Sequence, residues 1–184
     1  AEDKESRKWM RGYEAADAAA ARLEKTQVVV VGDRESDFFD LFARAQESPT
    51  GLLVRARAPK KRRLVAEQGG EKQYLLSCVQ DMPVAGEMEV LVPRQGSTPA
   101  RPAVLEVRYR EVELPRPKYS RGPRSVRMTV VSATEREDGE HAPIQWLLLT
   151  TLGVESAESA IEKVRWYARR WLIEVFHRTL KSGC

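Results

Sequence analysis

Residues Gln27–Asp37 read QVVVVGDRESD, and this stretch decides the fold class. Its four consecutive valines are β-branched and of strand length, as expected of a strand buried on both faces of a sheet. Gly32 and Asp33 end the strand, and Arg34–Gln46 then predicts a helix with apolar residues on one side. A strand, a tight turn and a helix in this order indicate an α/β fold.

Asp33 has two possible roles. It follows a strand that we expect to be central, and open α/β sheets bind ligands at the carboxyl ends of such strands. Asp is equally well suited to cap the N-terminus of a helix. Position alone leaves both roles open, whereas Asp37, which comes one helical turn later, is expected to be structural.

The next predicted strand, Leu52–Arg57, runs into a strongly basic segment. Six basic residues follow one another closely there: Arg55, Arg57, Lys60, Lys61, Arg62 and Arg63. Such a run is commonly a solubilising loop, but close to a ligand site Lys and Arg can also neutralise phosphates. We expect part of this run to bind phosphate.

Between Leu64 and Ile144 the chain consists of short strand-like pieces separated by Gly and Pro. The predicted strands are Gln73–Val79, Glu87–Val92, Ala103–Leu114 and Ser125–Ala133. The alternation of apolar and charged residues in the third strand slips at Glu111, which predicts a β-bulge. The connector Leu114–Arg124, LPRPKYSRGPR, has four basic residues and one Tyr. It is either a mobile surface loop or a loop that follows a nucleic-acid backbone.

Ile144–Thr151, IQWLLLTT, has the composition of a central strand, and a helix start is predicted at Ser156–Ser159. A Trp beside a buried strand, such as Trp146, is usually a core residue. At about 100° per residue, a helix over Tyr167–Lys181 places four unlike polar side chains on one stripe: Tyr167, Arg170, Glu174 and Lys181. This stripe is either a solvated face or a functional one.

Composition narrows the class of protein. With 42% hydrophobic residues and a net charge of +4, the 184-residue chain is globular, and its charge supports nucleic-acid binding only weakly. Asp3–Leu23, rich in Ala and charge, predicts an amphipathic helix. Cys78 and Cys184 are too few for a disulfide framework, and two His do not make a zinc cluster. Without a membrane span or signal peptide in the pattern, we expect a soluble intracellular protein.

Three motifs, in order along the chain, resemble the insertion-sequence-four family of cut-and-paste DDE transposases. They are Gly32–Asp37, which resembles GDRExD, the WLLLT sequence that begins at Trp146, and the Y-x2-R-x3-E-x6-K stripe of Tyr167–Lys181. The resemblance implies a ribonuclease-H-like core, incomplete at its N-terminus, with a β-rich insertion. Residues 1–63 would form the second half of the core, 64–144 the insertion, and 145–184 the return strand and catalytic helix.

The resemblance also implies site residues. Asp33 would be the second metal-binding carboxylate and Glu174 the third, while the first would come from an upstream strand that this chain does not contain. Tyr167, Arg170 and Lys181 would hold the phosphate backbone of the transposon end. Further DNA contacts are expected from Arg55, Arg57, Lys60 and Lys61, and Trp146 would line a pocket for a base flipped out of the DNA.

The cofactor and partners follow from the same resemblance. Mg²⁺ or Mn²⁺ would be the cofactor. Double-stranded DNA would be the partner, at the terminal repeats and at the target, with a homodimer assembled on it. The expected location is the bacterial cytoplasm, in association with the nucleoid and not with a membrane.

The chemistry explains why three carboxylates matter. Attack on a phosphodiester requires stabilisation of a pentacoordinate phosphorus, and two Mg²⁺ ions about 3.5–4 Å apart can provide it through hard oxygen ligands. We predict that Asp33 and Glu174 lie close enough to share a cation, although the two alone would hold one ion weakly. Two alternatives remain: a DNA-binding remnant or domesticated module that does not cleave, and a ribonuclease-H-like metal nuclease that does not join strands.

Overall fold

The computed structural model describes residues 2–57, 64–66, 72–92, 94, 99–136, 142–170, 173 and 180. The helices are α1 (Glu2–Ala20), α2 (Phe39–Gln46), α3 (Leu75–Gln80) and α4 (Ala157–Arg169). The strands are β1 (Val29–Gly32), β2 (Gly51–Arg55), β3 (Leu64–Ala66), β4 (Lys72–Tyr74), β5 (Gly86–Val92), β6 (Arg101–Pro115), β7 (Ser125–Glu135) and β8 (Gln145–Thr150). Among the helices of these ranges, none is long and apolar enough to cross a membrane.

The described strands form one mixed sheet in the order β1-β2-β8-β7-β6-β3-β4, with β5 also paired to β6. β1 and β2 are parallel, with Gly32 opposite Val54, and β2–β8, β7–β8 and β6–β7 are antiparallel. Strands of the predicted insertion therefore continue the same sheet as the strands of the predicted core.

Helices cover both faces of the sheet and divide the apolar side chains into two cores. The first core lies on the face of α1, α2 and α3 and includes Tyr13, Phe42 and Leu149. The second core lies on the face of α4 and includes Val131 and Leu148. Burial of apolar area on both faces is what a two-sided α/β arrangement requires.

β6 contains no bulge where one is predicted, because its pairing with β7 runs without interruption from Leu105 to Pro115. The slip in its sequence pattern has a different cause. Leu105 and Val107 belong to the second core, whereas Val112 and Leu114 belong to the first. Each end of the strand is therefore buried on a different face, and the apolar phase changes while the pairing does not.

The predicted strand Gln73–Val79 is wrong, since most of it forms α3. Leu75, Leu76, Cys78 and Val79 are buried there. Their spacing is that of one helix face, which packs on the sheet. A short apolar run is ambiguous between strand and helix, and here packing on the first core selects the helix.

The predicted helix Arg34–Gln46 is interrupted. A 3₁₀ turn occupies Arg34–Ser36, and α2 begins only after Phe38, whose backbone is extended (φ −145°, ψ 147°). Between the two, Asp37 accepts a hydrogen bond from the Arg57 backbone N–H to Oδ2 at 2.6 Å. Asp37 thus ties the turn after β1 to the chain leaving β2, the structural role expected of it.

β1 differs from the prediction of a central strand. Within the described part of the chain it pairs with β2 alone, and Val29, Val30 and Val31 are half-buried. The strands predicted in the regions of β5, β6, β7 and β8, and the helices predicted in the regions of α1 and α4, are confirmed. Ser156 caps α4 by accepting a hydrogen bond from the Ser159 N–H at 3.1 Å.

Candidate functional site

Asp33 directly follows β1, and each oxygen of its carboxylate has a different environment. Oδ1 accepts a hydrogen bond from the Glu35 N–H at 2.8 Å and so caps the 3₁₀ turn. Oδ2 lies 3.9 Å from Nη1 of Arg170, and the Asp33 side chain is 33% exposed. The capping role is therefore confirmed, and it occupies one oxygen while the other faces α4.

The turn that holds Asp33 is unusually tight. A Cβ on Gly32 would lie 2.1 Å from Oγ and 2.7 Å from Cβ of Ser36. Ser36 is buried and its hydroxyl donates to the Asp33 carbonyl at 2.6 Å. Gly at this position is what allows the chain to bring Ser36 underneath the strand end and to orient the Asp33 carboxylate.

The end of α4 reaches this turn through three residues in contact. Arg170 is the C-cap of α4 and its guanidinium lies 6.0 Å from the ring centre of Tyr167. The Tyr167 ring meets that of Trp146 at a centroid distance of 5.3 Å and an angle of 69°, an edge-to-face pair. The second core therefore anchors the helix end that approaches Asp33.

Trp146 and Tyr167 do not have the exposure that their predicted roles require. Trp146 is 3% exposed and Tyr167 is 2% exposed, and both belong to the second core. A base cannot stack on Trp146, nor a phosphate reach Tyr167, unless α4 moves from the sheet. In this conformation both are packed in the second core, and the DNA contacts implied by the family resemblance stay a prediction.

Basic side chains gather at the same end of the sheet. Arg55 ends β2 and donates from Nη2 to the Gln145 carbonyl at 3.3 Å. Arg57 donates from Nε to the Arg34 carbonyl at 2.9 Å, which brings it next to the Asp33 turn. Arg34 is exposed and was not predicted as a contact, although its position directly after Asp33 could have indicated it. These positions are compatible with the predicted phosphate binding by Arg55 and Arg57.

Four predicted site residues lie outside the described residues: Glu174, Lys181, Lys60 and Lys61. The predicted proximity of Glu174 to Asp33 is therefore not tested. The last described helical position before Glu174 is Ile173, whose N–H donates to the Arg170 carbonyl at 3.1 Å.

The described residues alone do not fit a Mg²⁺ ion. Among them, no group of three or more His, Cys, Asp or Glu side chains could hold a metal. Asp33 contributes one carboxylate, and Oδ2, the oxygen not used in the cap, lies near a guanidinium. A hard divalent cation takes about six oxygen ligands, so further carboxylates would have to come from elsewhere.

A groove of about 560 Å³ also opens at this end of the sheet, but on the other face. Its lining includes Leu76, Ser77 and Gln80 of α3 together with Glu135 and Gln145. α3 lies on the face opposite α4, so the sheet separates the groove from Asp33.

No protein-family model matches this chain. Functional assignment therefore depends on the arrangement just described: a carboxylate at the end of a parallel strand pair, an arginine from α4 beside it and further arginines around it. In such an arrangement the arginines would attract an anionic ligand and hold it close to the carboxylate.

Proposed function

We propose that this chain belongs to the catalytic domain of a cut-and-paste DDE transposase, which cleaves and joins DNA strands at transposon ends with Mg²⁺ or Mn²⁺. The observation that supports this most is the approach of Arg170, at the end of α4, to Asp33, at the end of β1. In the sequence, Glu174 follows Arg170 by four residues. One α-helical turn spans 3.6 residues, so a helix with that spacing would present Glu174 on the face of Arg170.

The proposed roles follow from charge. Asp33 and Glu174 would be metal ligands, and when bound the metal would activate the attacking oxygen and stabilise the leaving oxygen. Arg34, Arg55 and Arg57 would hold the phosphates that flank the reacting one. The Asp33 side chain is 33% exposed, so a substrate can reach it from solvent.

A second candidate function, DNA binding without cleavage, is favoured by one feature of the same site. Arg170 lies close enough to Asp33 to neutralise part of its charge, and the described residues form no group of three or more ligand side chains that could hold a metal. With one carboxylate partly neutralised and several arginines nearby, the surface around Asp33 would attract phosphate even without a metal.

Variants of the two carboxylates separate these functions. In the protein that contains this chain, Asp33→Asn and Glu174→Gln remove charge without changing size. We expect both to abolish Mg²⁺-dependent nicking of a supercoiled plasmid, because neutral amides bind divalent cations poorly. Affinity for a labelled duplex, measured by fluorescence anisotropy, should be unchanged or higher. Asp40→Asn, at an exposed position of α2, is the charge-matched control and should nick like the wild type.

Each alternative has its own outcome. Nicking by both variants at the wild-type rate would refute the catalytic assignment. A wild-type protein that binds duplex but never nicks it, with either metal, would support the non-cleaving module. Nicking without joining of a 3′-hydroxyl end to the plasmid would identify a nuclease.

A further inference from the structure

The loop between β6 and β7, residues Arg116–Arg124, has a defined conformation and is here called the β6–β7 tip. The Arg116 N–H donates to the Arg124 carbonyl at 2.9 Å, extending the strand pairing by one step. The Arg116 guanidinium donates to the Gly122 carbonyl at 2.6 Å, and the Ser120 N–H to the Pro117 carbonyl at 3.1 Å. Gly122 has φ +104°, which a side chain would disfavour. The tip is a closed β-ribbon end.

The tip exposes one aromatic side chain among cations. Tyr119 is 90% exposed, the highest value among the exposed large hydrophobic residues. All four basic residues of the tip are exposed: Arg116, Lys118, Arg121 and Arg124. The tip contains no Asp or Glu. Farther down the ribbon, by contrast, Arg127 is 3.6 Å from Glu111.

This charge arrangement opposes the folding of the ribbon. Arg116 and Arg124 face each other across the first pair beyond β6 and β7, and like charges at facing positions are destabilising. An anionic partner that contacts both sides of the ribbon would remove this repulsion. Tyr119, which is 90% exposed, would gain burial from the same contact.

The tip lies at the opposite end of the sheet from Asp33. Across the sheet, Gly32 pairs with Val54, Val54 with Leu149, and Leu149 with Val130 of β7, so these four residues lie in one row. Asp33 lies one residue beyond this row, on the side away from the tip. Ser125, at the base of the tip, precedes Val130 by five residues and therefore lies about 20 Å from the level of Asp33 along the strands. A ligand at the tip is thus separate from one at the carboxylate.

We propose that the β6–β7 tip is a second DNA contact, which enters the major groove of a duplex. Its four cations would meet phosphates of the two strands, and Tyr119 would pack against sugar or base edges. This contact does not depend on cleavage at Asp33. The two sites would grip a duplex at points about 20 Å or more apart, which is about six base pairs at 3.4 Å per pair.

The shape of the tip favours duplex DNA over other anions. The major groove of B-DNA, about 12 Å wide, admits a two-stranded β-ribbon. The deep, narrow major groove of double-stranded RNA does not. A membrane-binding tip would need several large apolar side chains to insert, and the tip has one aromatic residue, Tyr119, and two prolines beside its four cations.

Matched substitutions on one ribbon test the proposal. Arg121→Gln removes a tip cation, and Arg127→Gln removes a cation that Glu111 already neutralises. The probe is a fluorescent 20-base-pair duplex in EDTA, titrated with KCl. We expect the slope of log affinity against log salt to fall by about 0.9 for Arg121→Gln and to stay near the wild-type value for Arg127→Gln. Lys118→Gln should repeat the Arg121→Gln result.

Tyr119 gives an independent readout. Tyr119→Ala should weaken duplex binding by about threefold to tenfold without changing the salt slope, whereas Tyr119→Phe should bind like the wild type, because packing and not charge is lost. Thermal unfolding midpoints equal to the wild type would confirm that these exposed substitutions leave the fold intact.

Several outcomes would overturn the proposal. One is an equal decrease of the salt slope in Arg121→Gln and Arg127→Gln. Another is that no tip variant changes the duplex affinity or its salt slope. Stronger tip-dependent binding to double-stranded RNA, or to phosphatidylserine vesicles, would replace duplex DNA as the partner. Because EDTA prevents metal-dependent cleavage, the binding assay tests DNA contact by the tip independently of the proposed catalysis. Asp33→Asn should leave the effect of Arg121→Gln unchanged.

Discussion

At the scale of single residues, Gly32 is required by a close approach and not by its backbone angle. The space that a side chain would occupy is already filled by Ser36, which is held by its hydrogen bond to the Asp33 carbonyl. The presence of Gly before Asp33 is therefore explained by packing. It positions the carboxylate whether or not that carboxylate binds metal.

Gly32→Ala should destabilise the protein by about 1–3 kcal/mol, the usual cost of overpacking a buried site. Chemical unfolding in urea measures this. Gly12→Ala is the matched control, because a Cβ at Gly12 in α1 meets nothing within 4 Å. Replacing Gly in the middle of a helix should stabilise by about 0.5–1 kcal/mol. Equal effects of the two substitutions would contradict the steric account.

Trp146 has two possible roles, packing in the core and stacking on a base, and substitution separates them. If it is a packing residue, Trp146→Ala should cost about 3–5 kcal/mol in urea unfolding without DNA. Tyr119→Ala removes an exposed aromatic and should change stability by less than about 0.5 kcal/mol. Near-wild-type stability of Trp146→Ala, combined with lost DNA binding, would instead favour the base-stacking role implied by the resemblance.

At the scale of elements, α1 is attached to the sheet by a polar cluster around Asp17. Its carboxylate accepts hydrogen bonds from the Ser48 hydroxyl, from Thr50 Oγ1 at 2.8 Å and from Arg44 at 2.6 Å. Tyr13 of the same helix donates to the Thr50 carbonyl at 2.5 Å. The hydrogen bond from Ser48, followed by those from Thr50 and Arg44, lowers the pKa of Asp17.

The lowered pKa makes the attachment of α1 pH-dependent. A depressed carboxylate pKa stabilises the fold above the unfolded-state value near 3.9, and this contribution is lost as pH falls through the folded-state pKa. Asp17→Asn should therefore lower the thermal unfolding midpoint at pH 7, and the difference from the wild type should shrink below about pH 4. Glu14→Gln, at an exposed position of the same helix, is the charge-matched control.

At the scale of the whole molecule, the sheet is unequally protected along its width. β8 pairs with β2 on one side and β7 on the other, with cores on both faces. β1 pairs with β2 alone among the described strands, and its valines are half-buried. Paired edges and burial determine how often a strand opens.

Hydrogen exchange should follow this order. Amides of β8 and β7 should exchange at least about tenfold more slowly than those of β1, because opening β8 breaks two ladders and exposes both cores. Exchange followed by mass spectrometry on peptides covering each strand measures the difference. Equal protection of β1 and β8 would show that another segment covers the edge of β1 in solution.

Part of the candidate site could be read from the sequence. The place of Asp33 after a strand and before a turn is encoded by adjacent residues, and the structure confirms it. That one Asp33 oxygen caps the turn while the other faces Arg170 could not be predicted, because Arg170 is distant in the chain. The sequence indicated a core position for Trp146, but its edge-to-face contact with Tyr167 could not be predicted, because that contact joins a strand to a distant helix.

Elements whose signals are local can be predicted from the sequence. The β-branched run of β1, the alternating residues of β5 and β7, and the Ser156 cap of α4 each depend on near neighbours. Long-range packing instead determines that α3 is a helix and not a strand, that β1 pairs with β2 alone among the described strands, and that the buried face changes along β6. In these cases the sequence pattern predicts which residues are apolar enough to be buried. It does not predict which element packs on them, because that depends on residues distant in the chain.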